Sequence, residues 1–376
     1  MNIYRLWAAI LLTSVSISRT VLFAIVSIAI GTGNSAIAQV ATSITPTIGA
    51  GSLGTAVSSP VNNVYNITGG TRPGNGPNLF HSFGEFSVGA LDTARFLNTT
   101  PELATSNILG RVTGGNPSSL FGTIDTLSYG NANLFLMNPT GIIFGPNATL
   151  NVGGAVTFTI ANYLRLADTG IFHADTTASS VLTSAPVAAF GFLGSTPGTI
   201  TVQGSNLFVG PEHTINLVGG DIAIAPAEVA PDTMQPALIT AQGGQINIVS
   251  VASGGEVLAS SFQPTSGMTL GSINLGPGTL IDVSGDAAGT VRIRSGQLVL
   301  DNAVISADTV NANGAPVAID INVADSIAIS TVDGLALSAR TSGSGDAGEV
   351  RVSSGTIDVT ATGADSFLFT IIDTHT

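Results

Sequence analysis

Asp282, Asp286, Asp301 and Asp308 are the side chains of this sequence best placed to do acid–base chemistry. Asp282 with Asp286, or Asp301 with Asp308, could converge on one face of a strand-and-turn unit. Two carboxylates so placed can act as general acid and base on a glycosidic bond. All four also stand in or beside Gly-rich turns, where Asp is common because its side chain bonds nearby backbone. The histidines, His81, His173, His213 and His375, are scattered. No two are close enough in sequence to suggest a shared metal, and each is expected on the surface or in a turn. "GSGDAG" (343–348) echoes a calcium-binding nonapeptide, but the tandem copies that build such sites are missing, and "GDAAG" (285–289) fares no better. Cysteine is absent, which removes disulfides, thiolate metal sites and a Cys nucleophile. Lysine is absent too, so no glycine pair is followed by the Lys of a phosphate loop. The expectation is a protein that is not an enzyme and takes no cofactor.

Composition narrows the partners. All basic residues are Arg, and the net charge is −13, which leaves no basic footprint for nucleic acid and disfavours acidic membrane surfaces. Charged residues are 9% against 44% hydrophobic, the reverse of the balance that keeps a chain disordered. The apolar residues are largely Val, Ile, Leu and Ala in short alternating runs, which is strand material.

The first forty residues read differently. Arg5 opens a basic start, Val21–Ile30 is an apolar run, and Ala36-Ile37-Ala38 precedes Gln39. This is the pattern of a secretory signal peptide cut after Ala38. The competing reading is a membrane anchor, but the run falls short of the ~20 residues a spanning helix needs. Removing residues 1–38 takes away Arg5 and Arg19 and no acid, so −13 becomes −15.

After residue 38 no helix of normal length is expected. "IANYLRLAD" (160–168) is the best short helical candidate, and it reads equally as a strand. From Thr199 a phrase recurs in which Gly and a small residue precede an apolar-polar-apolar run: "GTITVQG" (198–204), "GGDIAIAP" (219–226), "GGQINIVS" (243–250). "SGDAAGTVRIRSG" (284–296) and "SGDAGEVRVSSG" (344–355) are nearly the same phrase. Each unit has one apolar face, as Val291 and Ile293, and one polar face, as Arg292 and Arg294. A lone strand of this kind cannot bury its face, whereas a stack of coils can. The expected fold is all-β, a parallel β-helix; the alternative is a Gly-rich sandwich or jelly roll. Residues 39–166 are less repetitive and rich in aromatics (Phe80, Phe83, Phe86, Phe96, Phe121, Phe135, Phe144), and a cap for the solenoid is expected there. Residues 167–376 continue the repeats to a C-terminus that shows no comparable change, as in a truncated chain.

One corner stands out. Asn138-Pro139-Thr140-Gly141-Ile142 interrupts "NLFLMNPTGIIFGPNATLNVGG". Pro139 fixes φ and offers no N–H, so it cannot sit within a ladder. Gly141 tolerates positive φ, and the Asn138 amide can bond the turn's backbone. On these grounds the stretch is a rigid strand-turn-strand corner. "NPSS" (116–119) is another Asn-Pro corner.

The same stretch, with "LFHSFGEFSVG" (79–89) and "FLNTTPELATSNILGRVTGGNPSSLFGTI" (96–124) before it, resembles the two-partner-secretion domain at the N-terminus of filamentous haemagglutinins, related adhesins and haemolysins. The compact form is most similar to cyanobacterial members. The resemblance implies a capped right-handed parallel β-helix and a secretion motif at Asn138, Pro139, Gly141 and Ile142. The usual second Asn of that motif is Thr140 here. The family's Asn-Pro-x-Leu motif finds its nearest match at Thr100-Pro101-Glu102-Leu103, which lacks the Asn and makes Pro101 and Leu103 weaker candidates. The resemblance further implies Sec export and recognition of the unfolded chain by an Omp85-like outer-membrane transporter with POTRA domains. Coil-by-coil folding would follow outside the cell, and then adhesion through an unknown surface receptor or glycan. The rival functions are a secreted β-helical polysaccharide lyase or glycoside hydrolase, and an autotransporter passenger. The last needs a C-terminal barrel, whereas residues after 300 continue the solenoid phrases.

Overall fold

The computed structural model describes residues 40–194, 197–332 and 335–362, with the backbone of 372–374. The expected signal peptide, its cleavage site at Ala38, and His375 lie outside the described residues.

Short strands coil around one core and stack in parallel on three faces. Asn78–Ser87, Asn107–Val112, Asn133–Met137, Val156–Thr159, Thr214–Gly219 and Gln245–Ser250 form the first face, one per coil, here numbered coils 1 to 6. The second face stacks Ser118–Leu120 of coil 2, Gly141–Phe144 of coil 3, Thr199–Gln203 of coil 4, Ile222–Ala225 and Ser272–Leu275. The third carries Thr93–Phe96, Thr123–Asp125 and Thr149–Asn151, then Asn206–Phe208, Leu238–Thr240 and Leu280–Asp282. In coil 7, Thr290–Asp301 serves two faces at once. Its first half pairs with Gln245–Ser250, its second with Ser272–Leu275. The chain is therefore a parallel β-helix, as the recurring phrases predict.

Register explains the alternation. Leu79, Ile108, Leu134, Val156, Ile215, Ile246, Val291 and Ile319 lie directly above one another, all within 4% exposure. Each such side chain is worth roughly 1.5–3 kcal/mol when buried. The glycine that opens each repeat phrase has a close-approach role. A Cβ on Gly289 would overlap the carbonyl of Gly244 one coil below, and a Cβ on Gly244 would overlap that of His213.

The cap is smaller than expected. Ser43–Pro46 runs antiparallel on Asn78–Ser87, and Thr55–Val57 antiparallel on Val64–Gly69, so antiparallel strands close the first coil. The aromatics that set residues 39–166 apart mostly belong to the helix itself: Phe80, Phe83, Phe86, Phe96 and Phe144 are fully buried.

His81 also departs from expectation. It shares its parity with Leu79 and Phe83, faces inward, and is fully buried rather than in a turn. Its Nδ1 lies 3.2 Å from Oγ1 of Thr55 on a cap strand, and its Nε2 has no partner. Burial, with the nearby charge of Arg72 second, lowers its pKa from 6.5 to about 3. The unfolded chain therefore binds the proton more readily. Stability from neutral His81 is present above pH 6.5 and is lost as the pH falls toward 3, at about 1.4 kcal/mol per unit. The urea midpoint is expected to fall between pH 7 and pH 4, and to fall less steeply in His81→Leu. Equal slopes would remove His81 from the cap's acid sensitivity.

Two excursions leave the helix and build a second sheet against it. One departs after Thr159 and returns at Thr199; the other departs after Ser250 and returns at Ser272. Tyr163–Leu166, Ile171–His173, Val187–Phe192 and Gly255–Leu258 join as an antiparallel sheet. The helical alternative for residues 160–168 is thereby settled as strand. Glu256 of the second excursion takes a two-pronged ion pair from Arg165 of the first (2.9 and 2.8 Å) and a bond from Tyr163 (3.1 Å). The Arg165 hydrogen bonds hold the Glu256 carboxyl below its usual range. The sheet's inner residues Leu164, Phe172, Phe190 and Val257 are buried, and Phe172 meets Phe80 edge-on at 5.1 Å.

Candidate functional site

Asn138 sits where coil 3 turns from its first face to its second. Its carbonyl accepts from the Gly141 N–H at 3.1 Å, closing a four-residue turn with Pro139 at the position where a fixed φ is favoured. Its side-chain Oδ1 accepts from the Thr140 N–H at 3.1 Å. Its Nδ2 donates to the Asn116 carbonyl (3.0 Å) and to Ser118 Oγ (2.9 Å) in coil 2. Its own N–H donates to the Thr159 carbonyl in coil 4 at 2.9 Å. One residue thus ties three coils together, and it is 1% exposed.

Gly141 has φ +139°, and a Cβ there would lie 3.2 Å from the Thr199 carbonyl of the coil above. Ile142 is the second residue of the second-face strand and is fully buried, Pro139 is half-buried, and Thr140 is exposed. The corner is one member of a stack. Pro117 of "NPSS" lies beneath Gly141. Gly198 lies above, where a Cβ would come within 2.6 Å of the Pro139 carbonyl. Asn138 stands out in the sequence, whereas its supports Asn116, Ser118 and Gly198 do not. The signal was present: the two Asn-Pro pairs stand 22 residues apart, one turn of the helix.

Pro101 and Leu103 lie elsewhere, in the turn that carries coil 1 from its third face into coil 2. Leu103 N–H donates to the Thr100 carbonyl at 3.0 Å, and Thr100 N–H to Asn98 Oδ1 at 3.0 Å. The wiring resembles that of Asn138, but Pro101 is exposed and Leu103 half-buried. The structure does not bring this turn to the Asn138 corner.

The carboxylates considered for catalysis are engaged by their surroundings. Asp282 accepts from Ser284 N–H (2.9 Å), Asp286 from Asn311 (3.0 Å), Asp301 from Ser330 (2.7 Å) and Asp308 from Ser338 (2.6 Å) and Arg340 N–H (2.9 Å). His173 gives its carbonyl to Arg111, and His213 gives its carbonyl to Gln245 N–H. Among the described residues no group of three His, Cys, Asp or Glu side chains is placed to hold a metal ion. The chemistry of the Asn138 corner is amide hydrogen bonding and backbone restriction.

Solved structures similar to this chain include two secretion domains. The filamentous hemagglutinin secretion domain is 19% identical with a TM-score of 0.41, the match covering 84% of this chain and 99% of that one. The HMW1 secretion domain from Haemophilus influenzae is 18% identical with a TM-score of 0.31, covering 86% and 97%. No curated protein matches the sequence. The family model described as TPS secretion domain matches residues 42–293, a span that contains the cap, the Asn138 corner and both excursions. With that one model covering more than half of its length, the chain belongs to the TPS secretion domain family, whose members are exported by two-partner secretion, each with a transporter partner, to the cell surface or the medium.

Proposed function

We propose that residues 39–166 hold the recognition elements of the secretion domain, and that Asn138, Pro139, Gly141 and Ile142 are its motif, with Pro101 and Leu103 secondary. In this reading residues 1–38 direct Sec export and are removed near Ala38. The partner is an Omp85-like barrel whose POTRA domains bind the chain in the periplasm, and the exported solenoid is an adhesin. One observation carries the motif assignment: Asn138 is 1% exposed and Ile142 fully buried, so the folded domain cannot present them. A transporter that reads these side chains must read them before the coils close. An unfolded strand with free N–H and C=O groups is also what strand addition by a partner requires.

Export distinguishes recognition from folding. Asn138→Ala and Gly141→Val are expected to lower the amount in the medium at least about tenfold, a loss of about 1.4 kcal/mol in partner binding, while the periplasmic amount holds or rises. Blots of both compartments, with and without the partner barrel, give the readout. Equal loss in both compartments would reduce the corner to a structural turn. Secretion without the barrel would overturn the transporter assignment.

A further inference from the structure

The third face of the helix has a gap. Coils 3 and 4 pair strand to strand on the first face and on the second. On the third, Thr149–Asn151 pairs downward with Thr123–Asp125, Asn206–Phe208 pairs upward with Leu238–Thr240, and the two strands belong to different sheets. Thr149 N–H and the Asn151 carbonyl are used toward coil 2, and the Ser205 carbonyl and Val209 N–H toward coil 5. By the alternation of a parallel ladder, Leu150, Asn206 and Phe208 turn their N–H and C=O groups into the gap. The Gln235 amide holds one end of it, donating to the Pro146 carbonyl at 2.8 Å and to the Gly204 carbonyl at 2.5 Å.

The gap is a cleft of about 490 Å³. Asn147, Thr149, Asn151 and Asn206 line it with amides and a hydroxyl, and Phe208 adds a ring that is 46% exposed. No charged side chain lines it. Unpaired main-chain groups, neutral amides and an exposed aromatic ring make a surface suited to a ligand with many hydroxyls, an apolar face and no charge. An added peptide strand fits less well. Cα atoms of Thr149–Asn151 and Asn206–Phe208 come within 8 Å of each other. A strand inserted between two neighbours needs two spacings, about 9.6 Å.

We propose that this cleft binds a neutral saccharide. The assignment deepens the adhesive reading above by giving it a ligand class and a place. The test uses the folded chain from residue 39 onward, without a transporter, so it fails or succeeds independently of export. Maltose, cellobiose, lactose and chitobiose are presented at millimolar concentration and followed by saturation-transfer NMR and titration calorimetry. At least one is expected to bind, and Phe208→Ala and Asn151→Ala are each expected to weaken it about tenfold. Both side chains are exposed, so both variants should keep the parent urea midpoint. No binding by any of the four overturns the proposal. So does binding that neither variant changes, or capture of an extended peptide by the cleft in place of sugar.

Discussion

Replacing Arg111 with alanine is expected to cost about 3 kcal/mol or more of folding stability, because it removes several hydrogen bonds from a charged donor, each worth about 1.5–3 kcal/mol. Arg111 is 2% exposed on the outward side of coil 2. Its Nε donates to Ser82 Oγ in coil 1 (2.9 Å), its Nη1 to the His173 carbonyl of the first excursion (2.5 Å) and its Nη2 to the Gly51 carbonyl beside the cap (2.7 Å). Its guanidinium also lies 5.1 Å from the centre of the Phe172 ring. Three segments far apart in sequence meet on this one fork. Its loss strands two part-buried carbonyls and loosens the excursion from the helix. Urea unfolding should give the loss. Hydrogen exchange should place it at residues 49–53 and 171–181, with coils beyond residue 290 unchanged. Arg111→Lys should recover little, because a single ammonium cannot span acceptors that the planar fork reaches. A variant within 1 kcal/mol of the parent would show that the excursion docks without it.

The second large effect concerns length. A fragment of residues 39–152 contains the cap and three coils, yet it is expected not to fold. The outer side of its first face is built to be covered by residues that come later. Asn78 donates to the carbonyls of Thr183 (3.0 Å) and Ala185 (2.7 Å), Phe80 packs on Phe172, and Arg111 needs His173. The excursion sheet is in turn finished by Gly255–Leu258, whose Glu256 locks it. Residues 39–285 supply all of these and are expected to unfold cooperatively in urea. Coil-by-coil folding of a chain that emerges from its N-terminus would then begin with one large step, and small steps would follow only beyond coil 6. A cooperative transition in the 39–152 fragment would refute this.

The sequence carried the helix well because register in a stack is written as alternation. Val291 and Ile293 inward with Arg292 and Arg294 outward is the same statement in sequence and in structure. The Asn138 corner was legible for a similar reason: Pro, Gly and a short amide have few alternatives in a turn. What was not legible was the excursion sheet. Its antiparallel strands alternate like the coils, so "VAAFGF" (187–192) looks like one more rung. The outward Phe80 and Leu109 were the clue, since a solvated face has no use for them. The inward position of His81 is carried by its parity with Leu79 and Phe83, whereas its residue type points to the surface. Phe80 and Leu109 show outward residues being buried, and His81 shows a polar one pointing in.

The gap on the third face has a mechanical side. Hydrogen bonds between coils point along the helix axis, so a pull on the two ends puts every bond at a coil boundary under tension together. The boundary between coils 3 and 4 carries load through two ladders, where its neighbours have three. By itself it would be the first to part. The excursion sheet leaves coils 4 and 6 and is fastened at Asn78 of coil 1 and Arg111 of coil 2, so it bridges that weak boundary as a tie. Force applied to the distal coils is thereby passed to the capped end around the open cleft, and the cleft can stay open without being the place where the rod breaks.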